Sequence, residues 1–277
     1  FTCEVAAMVN EVERRRWNDE LMVARWPKRE RFTDQVVPHV VNALQPAAGE
    51  KVLDIGAGGG KLSLAIAEKV RPGGKVLGAD ISDGMVNLAT GRAGEAKAKG
   101  VSFMAADVQV DKVPGGPFDA AVSQFGVMFF DEPVTAFTNI RKHLKKGGRI
   151  AFACWQGPEK NVWFPGPAVG PFAPPPPPAT PGKWPTGPFA LGDPKRTRGI
   201  LQEAGFIDIS RTPKRLALWT PEDSVADEAM FVLMGVPENK HKEATVAMNA
   251  HFDKFPRRAD GLLRFELNFQ LFTARNP

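Results

Sequence analysis

The stretch KVLDIGAGGGKLSLAIA, Lys51 to Ala67, passes from a short apolar run into four glycines within five residues, and then into apolar residues at helical spacing. A strand, a bare turn and a helix in that order form half of a βα unit, and the surrounding text repeats the pattern. From Gly49 to Trp155, short apolar runs alternate with longer segments of helical period. The predicted strands are KVLDIG (51–56), KVLGAD (75–80), VSFMAAD (101–107), FDAAVSQF (118–125) and GRIAFACW (148–155). Between them, Leu62, Ile66 and Val70 fall on one helical face, and so do Val134, Phe137, Ile140 and Leu144. Gly73-Gly74 and Gly147-Gly148 are read as the stops of those two helices. Such alternation predicts an α/β fold around a parallel sheet.

The glycines admit three ligand readings. A phosphate-cradling P-loop needs lysine followed by serine or threonine, and an earlier glycine at fixed distance. Here Leu62 follows Lys61 and Ile55 holds the earlier position, so that reading fails. A dinucleotide fingerprint G-x-G-x-x-G finds Gly56 and Gly58 but meets Lys61 at its third glycine. The pattern that fits is D-x-G-x-G-x-G, made by Asp54, Gly56, Gly58 and Gly60. This resembles the first motif of the class I methyltransferases that use S-adenosylmethionine, and the resemblance runs in order from about Gly49 to Trp155. Within that class, FGVMFF (125–130), the glycine pair before strand five, Trp155 at that strand's end, WND from Trp17 and GPFALGD from Gly187 are similar to a bacterial small-molecule subgroup, loosely the ubiquinone and menaquinone C-methyltransferases. Ala57 and Gly59 depart from the cysteine and threonine common in that subgroup.

The resemblance implies a Rossmann-like three-layer sandwich with a seven-stranded, mostly parallel sheet whose last strand is antiparallel. N-terminal helices and a helical insertion would form a lid. It also implies a site. Asp54 would meet the cofactor's ammonium, with Gly56, Ala57, Gly58 and Gly60 giving bare backbone beside the nucleoside. Asp80 would accept the ribose hydroxyls and Asp107 the adenine amino group, while Ile81, Val108 and Met85 line the adenine. Ser123, Gln124 and Phe125 end the fourth strand where the methyl group would project. Gln124 would orient cofactor or acceptor, the Phe125 ring would face the cation, and Trp155, Trp17 and Trp26 would wall the acceptor pocket. Against each stands a plainer role: helix capping for the acids, ordinary packing for the apolar and aromatic residues.

Outside this core the composition changes. Thirteen of the 25 prolines lie between Trp155 and Pro194, including the run Pro174 to Pro178, which reads first as a tethering loop and second as a lid or partner-binding segment. Asp193-Pro194 is a helix start, and IDISRTPKRLALW and LRFELNFQLFTARNP are two late strands. The expected organisation is one methyltransferase domain: a helical lid over 1–45, a cofactor core over 46–156, a proline-rich loop over 157–193, and C-terminal strands over 194–277 with a helical insertion at about 221–255.

A net charge of +5 comes from short clusters split by acids or apolar residues, the mark of a solvated face, so no nucleic-acid partner is expected. No window reaches a membrane span, the opening FTCEVAAMVNEVERRRW runs opposite to a secretory signal, and the expected location is the cytoplasm. Cys3, Cys154 and four scattered histidines offer neither a disulfide framework nor a metal site. Of the histidines, His143 reads as a solvated helix flank, while His39, His241 and His251 could approach the site as general bases, though each reads first as structural. The expected reaction is methyl transfer from S-adenosylmethionine to an O, N or C nucleophile of a small molecule. Methylation of RNA or protein, or a non-catalytic cofactor-binding scaffold, are the alternatives. A homodimer is left open.

Overall fold

A computed structural model describes residues 10–175 and 186–277. Cys3 and the prolines 176–178 of the long run lie outside the described residues. In chain order the elements are α1 (Glu11–Trp17), α2 (Glu20–Arg29), α3 (Val37–Leu44), β1 (Lys51–Ile55), α4 (Lys61–Lys69), β2 (Lys75–Asp80), α5 (Asp83–Glu95), β3 (Val101–Ala105), β4 (Phe118–Gln124), α6 (Pro133–His143), β5 (Leu144–Trp155), α7 (Gly166–Val169), α8 (Pro194–Glu203), β6 (Ile207–Thr220), α9 (Ala229–Met234), α10 (His241–Phe252) and β7 (Leu263–Arg275).

The seven strands form one sheet in the order β3-β2-β1-β4-β5-β7-β6. β1 to β5 pair in parallel, and β7 runs antiparallel between β5 and β6. This is the seven-stranded sheet with an antiparallel last strand that the sequence resemblance implies. The central strands are near-continuous apolar runs because helices cover both faces. Val52, Leu53, Ala120, Ala121, Val122, Ile150 and Phe152 are all fully or almost fully buried. Leu62, Ile66 and Val70 of the α4 face, and Phe137 and Ile140 of α6, pack onto them.

Two helix ends differ from the glycine reading. α4 stops at Lys69, ahead of Gly73, whose φ of 83° serves the turn into β2. α6 stops at His143, and Gly147-Gly148 lie inside β5, where the register with β4 slips between Phe118 and Ala120. Those glycines shape a strand entry rather than a helix exit. The start of α8 matches its sequence: the Asp193 side chain accepts from the Lys195 and Arg196 N–H groups, and Gly205 follows the helix at φ 86°. Replacing Asp193 with alanine leaves those donors without a cap and is expected to cost about 1 kcal/mol of stability, readable as a shift of the urea midpoint at unchanged slope.

No helix among the described residues is long and apolar enough to cross a membrane. Cys154 is buried in β5, and burial pushes its thiol up to about 12, so it stays protonated and inert.

Candidate active site

In a parallel sheet, ligands settle beyond the carboxyl ends of the strands where the strand order reverses. Here the reversal lies between β1 and β4, and two loops cross there in direct backbone contact. A Cβ on Gly56, at φ 65°, would stand 2.8 Å from Gly126 Cα, and one on Gly126 would stand 2.8 Å from the Ile55 carbonyl oxygen. Both positions therefore require glycine, and their close approach holds the turn open toward a cavity lined by Gly56, Ala57, Gly58 and Gly59.

Three acids border that cavity from successive strands. Asp54, Asp80 and Asp107 belong to or follow β1, β2 and β3, so they form a row spanning two inter-strand spacings, roughly 10 Å. Asp54 is buried; Oδ2 accepts from the Ser63 hydroxyl at 2.6 Å, and Oδ1 has no partner. Burial pushes its carboxyl up to about 7, against the Ser63 bond and with a contribution from Asp80. Asp80 is tied down on both oxygens, Oδ2 by the Gly58 N–H at 2.8 Å and Oδ1 by the Ser82 N–H at 2.9 Å, each oxygen keeping a second lone pair. Asp107 Oδ1 accepts from the Gln109 N–H at 3.0 Å and from Asn10 Nδ2 at 3.3 Å, while Oδ2 is buried without a partner. Burial raises the carboxyls of Asp80 and Asp107 as well. Ile81, Val108 and Met85 line the same cavity.

The far wall is aromatic. At the end of β4, Phe125 adopts φ 62°, a conformation that is strained for a bulky residue. Its ring stacks on Trp155 with centroids 3.9 Å apart and planes at 11°. Phe32, Phe129, Trp163 and Phe164 extend this wall, with Val225, Met230 and Leu233 from the 221–255 region. Beside it, Gln124 donates through Nε2 to the Thr33 carbonyl at 3.2 Å, leaving Oε1 buried and unpartnered.

α1 and α2 close the remaining side. Trp17 and Trp26 meet edge to face at 5.9 Å, and a Cβ on Gly58 would come within 2.9 Å of the Trp26 ring. Glu30 ion-pairs with Arg92, which also donates to the Gly59 carbonyl at 2.9 Å, so the N-terminal region is fastened to the glycine turn. A Cβ at Gly59 would meet the Arg92 guanidinium, so a side chain there requires Arg92 to shift away from the turn. Asn10 exchanges hydrogen bonds with Asp131, and Asn18 receives the Asp83 N–H at 3.0 Å.

Two residues expected at the site are placed elsewhere. Ser123 is fully buried, with its hydroxyl donating to the Ile55 carbonyl at 2.7 Å, and it ties β4 to β1 without lining the cavity. Gly60 also lies off the cavity; a Cβ there would meet the Phe103 ring at 2.8 Å and Ala89 at 2.9 Å, so its bareness serves packing between β3 and α5. His143 is buried, not solvated: Nε2 accepts from the Val113 N–H at 2.8 Å, which leaves Nδ1 donating to the Asn139 carbonyl. None of His39, His143, His241 or His251 lines the cavity. The region read first as a tether instead supplies Trp163, Phe164 and Pro188 to its wall. Among the described residues no cluster of potential metal ligands occurs.

Residues 52–148, which carry the glycine turn and the acid row, match the family described as a methyltransferase domain. The chain is 37% identical over 113 residues to aklanonic acid methyltransferase from a Streptomyces species, covering 41% of this chain and 51% of that protein. It is 27% identical over 198 residues to nocamycin O-methyltransferase of Saccharothrix syringae, covering 69% and 71%. With demethylmenaquinone methyltransferase of Thermus thermophilus it shares 33% over 116 residues, covering 42% and 52%. The matched segment thus spans about half the length of the first and third of these relatives. Among solved structures, Haemonchus contortus phosphoethanolamine N-methyltransferase 2 in complex with S-adenosyl-L-methionine superposes with a TM-score of 0.58 at 16% identity, over 95% of this chain and 60% of that one. The [4+2]-cyclase SpnF superposes at 0.55 and 19%, over 88% and 81%, so the shared fold alone does not fix the reaction.

Proposed function

We propose that the chain is a methyltransferase acting on a small, largely apolar and aromatic-faced acceptor, with S-adenosylmethionine as methyl donor and the cytoplasm as its setting. The observation that carries this reading is the pair of buried, unpartnered carboxylate oxygens, Asp54 Oδ1 and Asp107 Oδ2, on one cavity with Asp80 between them. A buried acceptor without a donor is costly, so each oxygen calls for a donor from a bound molecule. An ammonium at Asp54, ribose hydroxyls at Asp80 and an adenine amino group at Asp107 supply donors in that order. Lys61 is followed by Leu62 in place of serine or threonine, which disfavours a pyrophosphate across the turn. The small-molecule acceptors named for the relatives are consistent with the enclosed aromatic wall.

The bound donor supplies an activated methyl group on a positively charged sulfur, itself a good leaving group. What remains for the protein is alignment and exclusion of water. Phe125, held by its stacking on Trp155, places a π face at the end of β4, where it favours a cation. Gln124 Oε1 accepts a hydrogen bond from a donor group of the acceptor beside its ionised nucleophile and so turns the nucleophile toward the methyl carbon. With no imidazole on the cavity, the acceptor brings a nucleophile that needs little general-base help, such as an acidic enol, phenol or carboxyl group, or an activated carbon. Trp17 and Trp26 act as a lid that keeps the site dry.

The test is to incubate the full chain with deuteriomethyl-labelled S-adenosylmethionine and a panel of quinol, phenolic and polyketide acceptors, reading label transfer by mass spectrometry. Transfer to a member of the panel is expected. Tight binding with transfer to none would favour the scaffold reading. On the acceptor so found, Gln124→Ala is expected to lower kcat by about 10- to 100-fold while leaving the calorimetric Kd for S-adenosylmethionine within about twofold.

A further inference from the structure

Asp54 answers only half of the donor's amino-acid tail. That tail is a zwitterion, and its carboxylate needs donors of its own. We infer that Trp26 Nε1 and the Arg29 guanidinium, both on α2, hold the carboxylate of the bound cofactor, so the N-terminal helix takes part in cofactor recognition as well as covering the acceptor. This rests on the cofactor reading above.

Two independent observations carry it. Trp26 Nε1 is a buried donor with no hydrogen-bond partner, on a ring that lines the cavity directly against Gly58. It therefore calls for an acceptor beside the same turn that Asp54 precedes. Second, among the described residues only two cations line the cavity, Lys61 and Arg29. Lys61 is engaged by Glu30 and Asp34. Arg29 makes one hydrogen bond, from Nη1 to Asp227 Oδ1 at 2.8 Å, which leaves Nε and Nη2 without partners among the described residues. The guanidinium has a planar fork suited to a carboxylate and is mostly buried, at 13% side-chain exposure, so a charge-assisted bond there is not lost to solvent. Trp26 and Arg29 are one helical turn apart on α2 and so share a face.

Arg29 also ties α2 to the 221–255 region through Asp227, as Lys28 does through Asp223, so a carboxylate on the free edge of Arg29 joins cofactor, α2 and insertion in one contact set.

The experiment compares calorimetric Kd values of the full-length wild type, Trp26→Phe and Arg29→Gln for S-adenosylmethionine and for its decarboxylated analogue, which lacks only the carboxylate. For the wild type, S-adenosylmethionine is expected to bind about 10- to 100-fold more tightly than the analogue. Each substitution should weaken S-adenosylmethionine about tenfold or more and leave the analogue within about twofold. A partly unfolded variant lowers the active fraction for both ligands alike, so the ratio stays readable. Equal loss for the two ligands, or no loss for either, would overturn the inference while leaving the cofactor assignment standing. Failure of the wild type to bind either ligand would overturn both.

Discussion

Asp54→Asn is expected to weaken S-adenosylmethionine binding by about 100-fold or more, since removing one partner of a buried charge pair costs roughly 3 kcal/mol or above. The ligand-free fold should respond in the opposite sense. Burial holds the native Asp54 carboxyl at about 7, above its ordinary value of 3.8. An acid raised in this way binds its proton more tightly folded than unfolded, so its penalty on the fold is absent below about pH 4 and complete above about pH 7. Asparagine has no charge to bury. The variant should therefore be no less stable than wild type at pH 8, with any advantage shrinking as the pH falls toward 4. Thermal unfolding across that range, beside calorimetry at pH 8, checks both halves. A variant that unfolds early and binds normally would assign Asp54 a packing role instead.

The second large effect is expected at the backbone crossing. Gly56→Ala adds a methyl group 2.8 Å from Gly126 Cα at a φ of 65°. The left-handed conformation costs an alanine about 1 kcal/mol, and a clash against backbone has no flexible side chain to absorb it, so a total loss of about 3 kcal/mol or more is expected. Gly49 gives the control: its φ is 84°, with nothing within 4 Å of an added Cβ. Gly49→Ala should cost only the conformational part, about 1 kcal/mol. Denaturant midpoints for the two variants separate them. Equal losses would mean that the loops move apart freely and that the crossing does not position the turn.

The parts of the site that were legible in the sequence are those coded by local order. A strand ending in an acid before a turn appears three times in succession, and Asp54, Asp80 and Asp107 fall on one cavity because adjacent parallel strands bring their ends together. Phe125 and Trp155 were likewise readable from their positions at two strand ends, though not their stacking. What escaped depends on contacts between distant segments. Gly126 was visible within FGVMFF, but its need for bareness comes from Gly56, seventy residues earlier in the chain. Trp163 and Phe164 lie in a proline-rich stretch without periodicity, and nothing local says that it folds back onto the cavity. Ser123 failed for the converse reason. Along a strand, neighbours face opposite sides, so Gln124 reaches the cavity while Ser123 turns to the Ile55 carbonyl. Gly60 shows that one motif can serve two ends, its first glycines opening the turn and its last admitting Phe103.

The most direct measurement of the central claim is calorimetric titration of the full chain with S-adenosylmethionine between pH 6 and 7.5. An ammonium beside Asp54 favours the ionised carboxylate, whereas the ligand-free protein holds a proton there up to about pH 7. Binding should therefore release a proton below that point, and affinity should rise toward tenfold per pH unit before levelling off above 7. Affinity independent of pH over this range, with no proton release, would contradict an ammonium at Asp54. Tighter binding of a pyrophosphate-bearing dinucleotide than of S-adenosylmethionine would contradict the cofactor assignment as a whole.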